Sequence, residues 1–341
     1  MSRIPVAVLG ATGMVGQRFV QLLQDHPWFE LAELAASDRS AGKRYAEAAA
    51  WRLAGDNPRG DQRVVAASPE SVRASLVFSA LDKAIAAEVE PAFVAAGRAV
   101  ISNASAFRMV EGVPLIIPEV NPHHLEWVRD ARASGAGFIV TNPNCTCIPM
   151  TMALAPLHRD FGVEAVTCAS YQAVSGAGYP GESAWDILGN VHPHAGDEEE
   201  KVATEPRKIL GEREPAAFPI SPRCVRVPVV DGHLVAVHVR LKGAPTLSDV
   251  RASLEGFRGP IALPTLPVQP IVITDARGRP TPRTDADRGE GRASGMVVTV
   301  GRLEECEVMT VKFFALAHNV IRGAAGAAIA NAELVVERGL V

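Results

Sequence analysis

The chain has 341 residues, 48% of them hydrophobic and 21% charged, with a formal net charge of −4. That length accommodates two domains of ordinary size, and the composition is that of a globular protein. A weakly acidic balance argues against a nucleic-acid partner, and no apolar run approaches the roughly 18 residues of a membrane helix.

From Met1 to Leu9 the chain runs directly into an apolar strand and carries no leader-peptide pattern. Gly10-Ala11-Thr12-Gly13-Met14-Val15-Gly16 follows, then a helical pattern with Val15, Phe19, Val20, Leu22 and Leu23 apolar. Strand, glycine turn and helix make a phosphate cradle. Glycine lets the backbone approach a pyrophosphate, and the start of a helix offers unpaired N–H groups. The spacing is G-x-x-G-x-x-G, and its position between strand and helix gives it weight. Gly10, Thr12, Gly13, Met14, Val15 and Gly16 are therefore candidate cofactor contacts.

A second strand, Leu31 to Ala36, ends at Ser37-Asp38-Arg39-Ser40, where a ribose would be read. Asp38 suits the 2′-hydroxyl of NAD. Ser37, Arg39 and Ser40 suit the 2′-phosphate of NADP, which is favoured, with NAD as the alternative. Strands are expected at 75–80 and 99–102, with a helix from about Ala84 to Ala96 between them. Ser79 and Ala80, at a strand's carboxyl end, would face the cofactor cleft. This alternation implies a parallel sheet with right-handed crossovers.

Phe138-Ile139-Val140 reads as another strand, Asn142-Pro143-Asn144-Cys145 as a turn, and Cys147 to Leu157 as a helix. Cys145 would then sit near a helix N-terminus, whose dipole favours a thiolate. Sulfur attacks and leaves easily, so this cysteine beside a dinucleotide site points to redox chemistry on an aldehyde or acyl group through a thioester. The five cysteines, Cys145, Cys147, Cys168, Cys224 and Cys306, form no disulfide framework and suit a reducing cytoplasm. Cys145 and Cys147 lack the Cys/His partners of a zinc set, so no metal is expected. Cys168 and Cys224 read as buried and inert.

His233 follows Gly232 at the entrance of an alternating strand, Leu234 to Leu241, a place suited to projecting into a cleft. His26, His158 and His192 lie in polar settings and read as surface. The run Asp197 to Glu200 taken alone reads as solvated surface, and Arg108 as a loop salt bridge. The stretch 277–292, rich in Arg, Asp, Pro and Gly, reads as a long surface loop.

Taken together, these motifs resemble the aspartate-semialdehyde dehydrogenases, most of all the archaeal and fungal branch, nearly end to end. The resemblance is carried by Gly10 to Gly16, Ser37 to Ser40, Ser79-Ala80-Leu81, Asn142 to Thr146, Tyr171 to Gly181, Glu198 to Lys201, Arg226 to His233, and Asn319 to Gly326. It implies Cys145 as nucleophile, His233 as acid/base and Gln172 as the group that orients the bound intermediate. Arg226 would hold the substrate carboxylate by a two-pronged contact that lysine cannot imitate. Glu198 would meet the substrate ammonium, and Lys201 and Arg108 would bind phosphate. Ser175, Gly176 and Asn319 would lie along the cofactor, Asn319 near the nicotinamide. Glu198 and Lys201, three residues apart, share a face if helical. The Asn144 amide and the Cys145 N–H are candidate oxyanion donors.

The implied reaction is the NADPH-dependent reductive dephosphorylation of aspartyl phosphate to its semialdehyde, with inorganic phosphate as co-substrate in the reverse direction. Asp38 opposes a 2′-phosphate and weighs against NADP. Two rivals are a malonyl-CoA reductase, for which Glu198 would lack a partner, and a non-catalytic redox sensor, which would need no substrate clamp. The expected fold class is α/β, with an N-terminal Rossmann-like nucleotide-binding domain (1–145) and an α+β catalytic and dimerisation domain with a mixed sheet (146–318). A C-terminal helical segment, 319–341, would return to the first domain. The resemblance implies a homodimer or homotetramer.

Overall fold

Short apolar runs separated by helical patterns build the first sheet. The computed structural model describes residues 3–341; Met1 and Ser2, the first residues of the leader-free N-terminus expected above, lie outside them. The elements are β1 (Ile4–Leu9), α1 (Met14–Leu22), β2 (Phe29–Ala36), α2 (Tyr45–Ala48), β3 (Val64–Ala66), β4 (Leu76–Ser79), α3 (Lys83–Ala95), β5 (Ala99–Ser102), α4 (Arg129–Ala133) and β6 (Phe138–Thr141). The strands lie in the order β3-β2-β1-β4-β5-β6, and every pairing is parallel. All four residues of β4, of β5 and of β6 are buried, as a parallel sheet covered on both faces requires. The order reverses between β1 and β4, the switch point at which such sheets open a nucleotide crevice beyond their strand ends.

The second sheet is mixed. Its elements and neighbours are α5 (Cys147–Phe161), β7 (Val163–Gln172), α6 (Ala184–Ile187), α7 (Glu198–Leu210), β8 (Ile220–Arg226), β9 (His233–Leu241), α8 (Leu247–Gly256), β10 (Ile271–Thr274), α9 (Pro282–Asp285), β11 (Val298–Glu305) and β12 (Val311–Ala317). The order is β10-β11-β12-β9-β7-β8, with β10/β11 and β7/β8 parallel and the rest antiparallel. Helix α5 is buried from Cys147 to Leu157 and packs on α7 and α8. A helix apolar on all sides belongs inside a domain. In β9 every second residue is buried, the signature of one face turned to the core.

The stretch 277–292 departs from the expected surface loop. It holds α9, and Asp285 within it is fully buried, receiving hydrogen bonds from Arg279, Arg288, Thr284 and the Thr281 N–H. A single carboxylate satisfies several donors at once, so a polar segment without apolar periodicity still acquires a fixed shape.

The chain separates into two compact units. One comprises the residues through Ile116, then Pro122–Asn142 and Ala324–Val341; the other comprises Ile117–Asn121 and Pro143–Gly323. The second unit thus begins just ahead of Cys145, and the C-terminal return begins at Ala324, with Asn319 in the second unit. The last helical stretch opens with a π-helical turn, Ile321–Ala325, and continues as α10 (Gly326–Glu337). Within the first unit His26, fully buried rather than on the surface, bonds Glu333 of α10 at 2.9 Å. Its other ring nitrogen accepts from the Trp28 and Phe29 N–H groups.

Candidate active site

The nucleophile candidate sits on a turn that side chains hold rigid. The Asn144 N–H donates to Glu205 Oε2 at 2.6 Å. Asn144 Oδ1 accepts from the Thr146 and Cys147 N–H groups at 2.8 and 3.3 Å, so Asn144 caps the start of α5 with its side-chain oxygen. Its Nδ2 donates to both oxygens of Glu198 at 3.0 and 2.8 Å. The Asn144 amide, expected from sequence as an oxyanion donor, faces Glu198 in this arrangement. Gly323, on the π-helical turn, backs the cysteine: a Cβ there would stand 2.5 Å from Cys145 Cβ. Its neighbour Arg322 is buried in a two-pronged pair with Glu119 at 2.7 and 2.9 Å.

Cys145 Sγ lies 3.2 Å from His233 Nε2. The first residue of β9 thus meets the turn ahead of α5 across 88 positions of sequence. His233 is fully buried, and its Nδ1 accepts from the Ala173 N–H at 3.1 Å. Burial, then the Arg226 charge, then His318 push its imidazole down to about 3. The backbone of the same residue serves Arg226, whose Nη1 donates to the Ala173 carbonyl at 3.0 Å. Gly176 lets the backbone lie against both groups, because a Cβ there would come within 3.0 Å of the His233 ring and 3.1 Å of Arg226 Nη1. Asn319 supports the entrance to β9: its Oδ1 accepts from the Gly232 N–H at 2.7 Å and its Nδ2 donates to Ser175 Oγ at 2.8 Å.

Around this centre the charges are already paired. Glu198, at the start of α7, meets Lys201 Nζ at 3.0 Å, and Lys201 also meets Asp197 at 2.6 Å. Gln172 Nε2 reaches Ser170 Oγ at 3.2 Å and Glu198 at 3.4 Å, while its buried Oε1 has no protein hydrogen-bond partner among the described residues. An unmet buried acceptor is uncommon and suits a ligand donor. Cys168 and Cys224 are buried, and burial raises their thiols to about 12 and about 11, which keeps them protonated. No group of three or more His, Cys, Asp or Glu among the described residues is placed to hold a metal ion.

The remaining candidates belong to the first unit. Gly10 has φ +73°, a conformation that favours glycine, and a Cβ on Gly16 would stand 2.2 Å from the Gly10 carbonyl. Helix α1 has no side-chain cap, and its own ladder begins with Gln17 N–H to Gly13 at 2.8 Å. The N–H groups of Met14, Val15 and Gly16 thus precede the ladder, the arrangement that binds a pyrophosphate. Thr12 forms part of this turn. Ser37 to Ser40 form the turn after β2, where exposed Asp38 and Arg39 have no hydrogen-bond or ion-pair partner among the described residues. An uncommitted guanidinium there fits a 2′-phosphate. Ser79 ends β4, with Ala80 beyond it donating its N–H to Leu9. Arg108 is mostly buried and donates to the Asn103 carbonyl at 2.7 Å.

Comparison with known proteins agrees with this architecture. Residues 5–128 match the family described as semialdehyde dehydrogenase, NAD binding domain, and residues 154–322 its dimerisation domain. The chain is 46% identical to the aspartate-semialdehyde dehydrogenase of Archaeoglobus fulgidus, over 99% of this chain and 100% of that one. The chain belongs to the aspartate-semialdehyde dehydrogenase family. The enzyme of Cryptococcus neoformans is 40% identical over 99% of this chain and 98% of its own length. The crystal structure of the Candida albicans enzyme with NADP superposes at a TM-score of 0.92, with 38% identity and complete coverage of both chains. The fold is that of the family: a Rossmann-like domain with a parallel six-stranded sheet and a second domain with a mixed sheet.

Sequence reasoning missed Ala173, Glu205 and Gly323. Ala173 acts through its peptide, which no side-chain pattern reports. Glu205 does leave a signal: it lies on the α7 register of Glu198 and Lys201, at i+7 and i+4.

Proposed function

We propose that the protein reduces aspartyl phosphate to aspartate semialdehyde through a Cys145 thioester, as an NADP-dependent phosphorylating aldehyde dehydrogenase. The reaction would serve the biosynthesis of lysine, threonine, methionine and isoleucine. The observation that carries the reading is the 3.2 Å contact between Cys145 Sγ and buried His233, with His233 and Arg226 both bonded to the Ala173 backbone.

Cys145 attacks the acyl carbon, and phosphate departs. Arg226 holds the α-carboxylate through its remaining N–H groups. The Glu198–Lys201 pair is a ready-made template: opened by substrate, it gives one anion for the ammonium and one cation for the phosphate. Arg108 adds a second cation for the phosphate, and Gln172 offers its unmet oxygen to the bound intermediate. Gly10 to Gly16 and Ser37, Arg39 and Ser40 would hold NADPH, which would supply the hydride that reduces the thioester. Ser79, Ala80, Ser175, Gly176 and Asn319 would complete the cofactor contacts. The carbonyl then re-forms, the carbon–sulfur bond breaks and the semialdehyde leaves. In reverse, inorganic phosphate attacks the thioester. The 1–145 and 146–318 division remains the proposed functional boundary. A homodimer or homotetramer in the cytoplasm is the proposed setting, supported by the dimerisation-domain match. No described helix is long and apolar enough to cross a membrane.

The test is NADP reduction with aspartate semialdehyde and phosphate, run beside NAD. Phosphate-dependent reduction is expected, and Cys145→Ala should abolish it while NADP still binds. Substantial turnover in that variant would sink the assignment.

A further inference from the structure

We propose that Arg322 and Glu119 are positioning residues for the thioester reaction, acting through the π-helical turn that seats Cys145. This rests on the reading above and gives the pair a role exerted through the turn, with no contact to substrate.

The turn itself is unusual. The Gly323 N–H reaches back to the His318 carbonyl at 3.0 Å, a π-type bond, which is rare and recurs at functional sites. It brings Gly323 so close to the cysteine that a Cβ there would stand 2.5 Å from Cys145 Cβ and 3.0 Å from its Cα. The backbone that carries the sulfur therefore follows the depth of this turn.

Two side chains fix that depth. At the entrance, His318 Nδ1 accepts from the Val320 and Ile321 N–H groups at 3.2 and 3.4 Å. In the middle, Arg322 donates to both oxygens of Glu119 at 2.7 and 2.9 Å, and its Nη2 also meets Met152 Sδ at 3.1 Å. Met152 lies on α5, the helix that follows Cys145. Arg322 thus ties the turn to the helix whose start lies beside the cysteine.

Glu119 is a fixed anchor for this tie. It belongs to Ile117–Asn121, a short segment of the second unit. The Ile117 carbonyl accepts from the Val120 and Asn121 N–H groups at 2.8 and 3.0 Å, and Asn121 Oδ1 accepts from the Ile117 N–H at 2.9 Å. Gly259 lies against the Glu119 stem, where a Cβ would come within 2.9 Å of its Cγ.

Stability alone does not account for the pair. Both side chains are only 1% exposed. Removing two charges from water costs as much as their attraction returns unless the remaining polar atoms are also met, and Arg322 Nε has no hydrogen-bond partner among the described residues. Apolar side chains would fill the same space without that cost. They could not supply direction: a two-pronged guanidinium–carboxylate contact fixes both plane and angle.

The test replaces the pair by apolar side chains, Glu119→Leu with Arg322→Met, in the full-length protein. Such exchanges of buried ion pairs are often neutral or stabilising, so the melting temperature should hold or rise. Nevertheless kcat should fall about tenfold, part of what a 1 Å misplacement can cost, with KM for the semialdehyde and NADP affinity each within about twofold. Cys145 alkylation by iodoacetamide, followed on its own peptide by mass spectrometry, should slow about tenfold as the sulfur leaves its place against His233. A folded double variant that keeps the parent kcat or the parent alkylation rate overturns the proposal, and so does an equal loss in kcat, KM and NADP affinity. If the double variant does not fold, Arg322→Lys decides: it keeps the charge and loses the fork, so the same kinetic split is expected, and parental turnover overturns the proposal. Alkylation needs no turnover. A parent protein inactive on aspartate semialdehyde would refute only the proposed reaction; a folded variant with unchanged alkylation would refute only the positioning role.

Discussion

Two turns each lead from a parallel strand into a helix, one after β1 and one after β6, and they are held by opposite means. In the glycine turn, outside groups take the carbonyls: Tyr45 donates to the Ala11 carbonyl at 2.7 Å, and Gln17 to that of Thr12 at 3.1 Å. The N–H groups at the head of α1 stay ahead of the helical ladder. In the cysteine turn, outside groups and its own side chain take the N–H groups: Glu205 that of Asn144, and Asn144 Oδ1 those of Thr146 and Cys147. A cradle for an anion must keep its donors available. A turn that aims a nucleophile gains by spending them, since each bond removes freedom from the sulfur's backbone.

The largest effects should come from putting one methyl group into each turn. Gly16→Ala places a Cβ 2.2 Å from the Gly10 carbonyl. NADP affinity should fall about a hundredfold, near the upper end of overpacking costs, while the Cys145 alkylation rate stays within about twofold. Gly323→Ala places a Cβ 2.5 Å from Cys145 Cβ. Turnover should fall about a hundredfold, the scale of a 1 Å misplacement, with NADP binding intact by fluorescence titration. If either variant damaged both properties equally, the two turns would not be separate devices.

Glu205 comes next. Glu205→Ala leaves the Asn144 N–H without its acceptor, a buried-donor cost of about 1–3 kcal/mol. We expect kcat to fall about tenfold with KM for the semialdehyde little changed, because the loss lies in aiming rather than in binding. Glu205→Gln keeps an acceptor oxygen and should recover most of the rate. A Gln variant as poor as the Ala variant would mean that the charge matters and not the bond. The charge has a neighbour to balance it: burial pushes Lys208 down to about 8, and Glu205 pulls the other way.

The side chains of the turn after β2 should matter less than the glycines of the turn after β1. Arg39 is exposed and lacks a partner among the described residues, so Arg39→Ala should leave the fold unchanged. Its loss should weaken NADP about tenfold, the lower range for a hydrogen bond to a charged group, and NAD hardly at all. Equal loss for both dinucleotides in parallel titrations would remove Arg39 from 2′-phosphate recognition.

The same contrast explains what the sequence disclosed. The glycine turn is local: seven consecutive residues carry its chemistry, and the parallel sheet follows from strands that alternate with helices. The cysteine motif was equally visible, but Glu198, Glu205 and His233 lie 54 to 88 positions away, on α7 and at the start of β9, and meet it only in the folded chain. Asn144 was legible as a site residue, but its bonds to Glu198 and to the start of α5 were not. The 277–292 stretch misled for a related reason. Hydrophobic periodicity is blind to a segment organised by one buried carboxylate, Asp285.

A buried carboxyl in each unit extends the comparison to pH. Glu205 has an N–H to accept and Lys208 near it. Glu90, on α3, is fully buried behind β4 and β5, accepts from Ser102 Oγ at 2.6 Å, and has no cation partner among the described residues. Burial therefore raises its pKa, with Ser102 and Ser79 opposing. A carboxyl raised in the folded state stabilises the fold fully only below its unfolded value of about 4.3, and that contribution is lost as pH rises through the folded value. At pH 8 the folded first unit must bear either an ionised Glu90 or the work of keeping it protonated. Glu90→Gln removes that burden while keeping the shape, and Ser102 and Ser79 can accept from the new amide. The variant should melt about 2–4 °C higher than the parent at pH 8, the scale of 1 kcal/mol in a chain of this class, with the gain shrinking toward pH 5. Glu205→Gln should show no such gain, because its carboxylate already accepts the Asn144 N–H and stands near Lys208. A Glu90→Gln advantage that held constant from pH 5 to pH 8 would assign the effect to packing and not to the proton.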